Sequence, residues 1–180
     1  MKAIIATVLM IFGTTAAQAQ QKIFEAWAVG TSTAGPYSST VNDSGDLFGK
    51  WCSYADKNCK WLLGIQIQCN PNNKIPILAN TNDTPAAAPL FLACIGPLPG
   101  STNGYYRLEF TNWQVLENLL KGASQIGFAV PMSGGSFKVV RFSLVGESDS
   151  DTYLTSNFFS PPSSTPAPAA SGQSTRDTTL

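Results

Sequence analysis

The chain contains no histidine. That absence excludes Ser-His-Asp and Cys-His catalysis, imidazole metal sites and histidine-based pH sensing together. Charge is scarce as well: 11 Lys and Arg balance 11 Asp and Glu, only 12% of 180 residues. With no basic excess there is no electrostatic footprint for nucleic acid or anionic lipid. Apolar runs long enough to cross a bilayer, about 20 residues, are also missing. Lys60 to Cys69 and Ala86 to Ile95 are strand-sized and bounded by Pro, Asn and Gly. Ser-x-x-Lys, the usual serine catalysis without histidine, does not occur. Ser136 and Lys138 stand two apart at a turn, which the turn chemistry explains without an activated serine.

What is present at the N-terminus reads as an address. Lys2 precedes the apolar stretch Ala3 to Phe12, and Ala17-Gln18-Ala19 has the small-x-small form of a cleavage site. The expectation is a signal peptide over 1–19, a single domain over 20–156, and a periplasmic or secreted protein with no integral membrane segment after cleavage. From Asn157 to Leu180, Pro, Ser, Thr and Ala dominate, a composition expected to form a disordered tail. All four cysteines, Cys52, Cys59, Cys69 and Cys94, lie in the domain. An even count in an exported chain reads as two disulfides with three possible pairings. Cys52 with Cys59, closing a polar loop, and Cys69 with Cys94, joining the ends of two strands, is the favoured set. A zinc site is the rival, but the closest pair is spaced too widely for the usual zinc pattern.

Periodicity predicts about seven strands and one helix. The strands fall at Ile23 to Val29, Lys60 to Cys69, Ile75 to Ala79, Leu90 to Ile95, Tyr105 to Phe110, Gln125 to Met132 and Phe137 to Val145. Ile65 and Ile67 alternate with Gln66 and Gln68, the mark of a half-buried strand, and Asn70 to Asn73 suggests a hairpin to the next strand, with Pro76 favouring an edge. Leu90 to Ile95 is apolar on both faces and reads as deep core, while Thr31 to Gly49 reads as loop. Thr111 and Gln114 have capping-box spacing before Trp113, Leu116, Leu119 and Leu120, with Lys121 and Gly122 closing the helix. The fold class is therefore mainly β, an antiparallel sandwich or sheet with one helix packed on a face.

Candidate chemistry is sparse. Carboxylate pairs could hydrolyse glycosidic bonds. The acids, however, sit mostly in polar stretches: Asp43, Asp46, Asp56 and Asp83, then Glu147, Asp149 and Asp151. The last cluster lacks the glycine and distal glutamate of an EF-hand, so it reads as a solvated acidic linker rather than a calcium site, and no metal or cofactor is expected. Trp51 and Tyr54, in or beside the small disulfide loop, are a candidate aromatic platform, although Trp51 packing over the disulfide explains it more simply. Ser133 and Ser136 bound a Gly-Gly turn that could enter an enzyme cleft. Asn42-Asp43-Ser44 and Asn82-Asp83-Thr84 have the form of glycosylation acceptors.

Phe24-Glu25-Ala26-Trp27-Ala28-Val29, Leu116 to Gly122, and Ser143-Leu144-Val145-Gly146 together resemble the invasion-associated locus B family of small exported bacterial proteins. The family's early cysteine is replaced here by Gly30 after Val29. The resemblance implies a β-rich periplasmic or surface protein linked to envelope or host-cell interaction, with no catalytic residues to carry over. The resulting expectation is a noncatalytic binding protein for a protein or glycan outside the cytosol. The rivals are a carboxylate-dependent cell-wall or polysaccharide hydrolase and a secreted enzyme inhibitor.

Overall fold

The computed structural model describes residues 21–84, 86–98, 104–132 and 134–158. Residues 1–19, Ser133 and the tail beyond Phe158 lie outside the described residues. The strands are β1 (Lys22–Phe24), β2 (Trp27–Thr31), β3 (Pro36–Val41), β4 (Leu47–Cys52), β5 (Cys59–Gln66), β6 (Lys74–Thr81), β7 (Ala88–Pro97), β8 (Tyr105–Phe110), β9 (Gln125–Pro131) and β10 (Phe137–Ser143). Helix α1 (Trp113–Leu120) follows β8, and α2 (Glu147–Phe158) follows β10. The strands form one ten-stranded antiparallel sheet in the order β1-β2-β3-β4-β5-β8-β7-β6-β9-β10.

The fold is thus mainly β and antiparallel, but with ten strands instead of about seven and two helices among the described residues. Two differences account for the three extra strands. Glu25, at a φ of 52°, breaks the first predicted strand into the β1–β2 hairpin. The stretch expected to be loop holds β3 and most of β4. β3 escapes periodicity because its inward positions, Ser38 and Thr40, are hydroxylated rather than apolar, so no hydrophobic alternation marks it.

The expected hairpin between β5 and β6 does not form. β5 pairs with β4 and β8, and β6 pairs with β7 and β9. The turn at 70–73 instead docks on β7, where Asn72 N donates to Cys94 O and Cys94 N to Asn73 O. Pro76 is not on an edge strand as expected, since β6 lies between β7 and β9; it is tolerated because the pairing with β9 starts only at Leu78. β7 is buried on one face only: Leu90, Leu92 and Cys94 point inward while Phe91 and Ile95 are exposed.

The sheet rolls until its ends touch. Phe48 on β4 lies within 5.1–5.9 Å, ring centre to ring centre, of Trp27, Trp61, Phe110, Phe128 and Phe142. Those rings come from β2, β5, β8, β9 and β10, and a flat sheet could not bring them to one point. The closing contacts are Trp27 Nε1 donating to Ser143 O at 2.9 Å, Ala26 N to Val145 O at 3.2 Å, and Lys138 Nζ paired with the fully buried Asp46 at 2.7 Å. Lys138 is therefore a latch and no partner for a catalytic Ser136, which is exposed in the β9–β10 turn.

α1 buries Leu116 and Leu120 in the core. Its N-terminus has no side-chain cap, which corrects the capping-box expectation. Thr111 Oγ1 turns to Phe91 O, and Asn112 Oδ1 accepts from Phe91 N. α2 covers the inward face of β1 to β3, with Leu154 against Val29 and Cys52 and a 2.7 Å hydrogen bond between the Ser150 and Ser38 hydroxyls. The acidic segment is thus the first turns of a helix, where carboxylates favour the dipole, and helix continues through Asn157 and Phe158, where tail was expected. Disulfides link Cys52 to Cys59 and Cys69 to Cys94.

Candidate functional site

Alternation along β4 decides which residues meet. Phe48, Lys50 and Cys52 point into the roll, and Leu47, Gly49 and Trp51 point out. The same pattern places Leu62 and Gly64 of β5, and Arg107 and Glu109 of β8, on the outer face. Register then aligns them across the strands. Tyr37, Trp51 and Lys60 form one row, Leu62 lies beside Glu109, and Leu47, Gly64 and Arg107 form another.

All of these residues except Tyr37 make the floor of an open groove of about 650 Å³. Leu47, Trp51, Leu62, Ile95 and Leu98 give it an apolar lining. Ser32 to Ala34 and the Cys52–Cys59 loop build one wall. Trp51 stacks on Tyr37 with ring centres 6.1 Å apart, which makes it a supported aromatic surface. Lys60 and Glu109 are joined at 2.9 Å. Arg107 differs, since its buried Nε has no hydrogen-bond partner among the described residues. Gly64 leaves the floor open, because a β-carbon there would make only ordinary contact with Leu47, at 3.4 Å.

A second, inward-facing constellation lies where α1 and α2 meet the sheet. Lys50, its side chain only 12% exposed, pairs with Asp151 at 2.9 Å and Glu117 at 3.4 Å, and its ammonium sits 4.9 Å from the Trp61 ring centre. Trp61 Nε1 donates to Glu117 Oε1 at 3.2 Å. Glu147 joins these groups around a cavity of about 490 Å³. Burial, then the neighbouring Asp151 charge, pushes the Glu147 carboxyl up from 4.5 to about 7; Lys50 opposes the rise and Glu117 adds to it.

Of the residues singled out in the sequence, Trp51 lines the outer groove. Tyr54 is 50% exposed in the disulfide loop and does not line it. Ser136 lies in the β9–β10 turn, on neither site. Tyr37, Leu62, Arg107, Lys50 and Glu117 were missed. Reading 31–49 as loop hid Tyr37 and left Trp51 with no strand around it, and the run Leu47 to Cys52, with its adjacent apolar pairs Leu47-Phe48 and Trp51-Cys52, carries no period-two signal that marks the strand.

No family model matches the chain, and no curated protein matches it. A solved structure does: the invasion associated protein B of Bartonella henselae, at 14% identity and a TM-score of 0.51, over 77% of this chain and 97% of that one. At that identity the likeness is one of fold.

Proposed function

We propose that this chain is exported, folds outside the cytosol, and binds an extended segment of another protein in the outer groove without catalysing a reaction. The carrying observation is the groove's construction: a stacked Trp51 and an aliphatic floor beside a buried, unpartnered Arg107 donor. Apolar floor area suits side chains of a peptide better than a sugar, which asks for many planar polar partners around its aromatic platform. Two disulfides fit a compartment that oxidises thiols.

The test is selection of peptides from a random library by the immobilised mature chain, beside an oligosaccharide panel. Apolar, extended peptides are expected to be enriched. Trp51→Ala and Gly64→Val, the second filling the floor from the outer face, should each abolish enrichment while leaving the fold intact by circular dichroism. Equal enrichment by both variants, or retention of sugars alone, overturns the reading.

A second reading has its own observation. Glu147, raised to about 7 beside Asp151 and Glu117, has the titration a general acid needs near neutrality, with an acidic neighbour as base or nucleophile. Polysaccharide or cell-wall turnover that is lost in both Glu147→Gln and Asp151→Asn, with folding retained, would establish the hydrolase instead.

A further inference from the structure

The position at which the chain leaves the described fold bears on what the groove holds. Phe158, the last residue of α2, packs on the cluster of Val29, Cys52 and Leu154 together with Cys59. Cys52 is also a lining residue of the groove. The described chain therefore ends beside the Cys52–Cys59 disulfide, on the inner side of the strand ends whose outer side bears the groove. The ten residues from 159 onward include Pro161, Pro162, Pro166 and Pro168.

We infer that this proline-rich segment is the groove's resident occupant, lying across Trp51 and Leu62 in polyproline II form as a tethered ligand. The inference rests on the peptide-groove reading above and names the class of segment that the groove accepts. Reach is sufficient. Rounding the strand ends means crossing one sheet, roughly 10 Å, or about three residues at 3.1 Å each, which brings the prolines to the mouth of the groove. Crossing β4, β5, β8 and β7 at about 4.8 Å per strand takes roughly 14 Å, or about five residues more.

The chemistry matches as well. Proline rings stack on aromatic floors, and the polyproline II form is already ordered before it binds. Prolines offer carbonyl acceptors without N–H donors, and the groove's unsatisfied group is a donor, Arg107 Nε. A short tether gives an effective concentration of order millimolar, so an external peptide must outcompete the tail to bind. The tail would then set a threshold on the same site.

Photo-crosslinking in the full mature chain tests this. p-Benzoylphenylalanine is placed at Ser164, the protein is irradiated at high dilution, and the linked peptides are mapped by mass spectrometry. Adducts on Trp51, Leu62 or Ile95 within one molecule are expected, and they should vanish when Pro161, Pro162, Pro166 and Pro168 are all changed to Ser, a variant that leaves the folded domain untouched. Gly64→Val should also remove them. That proline-less full chain should bind a free synthetic 159–170 peptide that the unaltered chain binds weakly. Adducts elsewhere, adducts between molecules, or adducts indifferent to the prolines overturn the inference. If the tethered segment misses the groove while the free peptide still binds there, the tail is not resident and the peptide-groove reading survives. If neither reaches the groove, both fall.

Discussion

Lys50 faces the inside of the rolled sheet, where an ammonium is costly unless paired, and it is met by Asp151, Glu117 and the Trp61 ring. Glu147 lies beside the same groups, and its burial, then the neighbouring Asp151 charge, makes it hold its proton up to about pH 7. The folded-state value lies above the unfolded 4.5, which means that the native state binds this proton more tightly. Stability from the protonated group is complete below 4.5 and is lost as pH rises through about 7. The melting temperature should accordingly fall between about pH 5 and about pH 8, and Glu147→Gln, which mimics the neutral acid, should flatten that fall. Thermal melts across this window check it; parallel slopes for the two proteins would show that Glu147 is not the group responsible.

Among the elements, the two crosslinks differ in what they restrain. Cys69–Cys94 closes a separation of 25 residues, against 7 for Cys52–Cys59. Chain entropy gives the longer loop roughly 3.5 kcal/mol and the shorter roughly 2.4, so replacing Cys69 and Cys94 by Ser should lower stability by about 1 kcal/mol more in urea titrations. Replacing Cys52 and Cys59 should instead weaken peptide binding first, because their loop walls the groove. The same cysteines were legible from spacing, as were the inward faces of β8 and β10, since large apolar groups recur there at every second position. β3 and α2 were not legible, for a common reason. They pack on each other through Ser38 and Ser150, and a buried hydroxyl pair satisfies burial without leaving a hydrophobic stripe for periodicity to find. Losing β3 from the sequence reading also lost the row Tyr37–Trp51–Lys60, so Trp51 was visible as a residue but the groove around it was not.

For the whole molecule, rolling a ten-stranded sheet creates a seam, and the two short motifs most distant in the chain lie on it. Trp27 binds the carbonyl of Ser143, Ala26 binds that of Val145, and the Gly146 α-carbon faces the Phe24 carbonyl so closely that a β-carbon would collide with it. The opening Phe24-to-Val29 segment and the closing Ser143-to-Gly146 segment are therefore two halves of one joint, which gives a physical reason for that combination of residues. Gly146 also has a φ of 91°, as Gly122 has 77°, but a β-carbon at Gly122 would meet open space. Gly122→Ala should cost only the conformational penalty, about 1 kcal/mol. Gly146→Ala must in addition push the β1–β2 hairpin off the end of β10, and a loss of roughly 3 kcal/mol or more is expected. Hydrogen exchange locates the damage: the amides of β1 and β2 should lose protection in Gly146→Ala while those of β6 and β7 keep theirs. Equal stability losses in the two variants would mean that the seam does not hold the roll closed, and that the aromatic core around Phe48 does so alone.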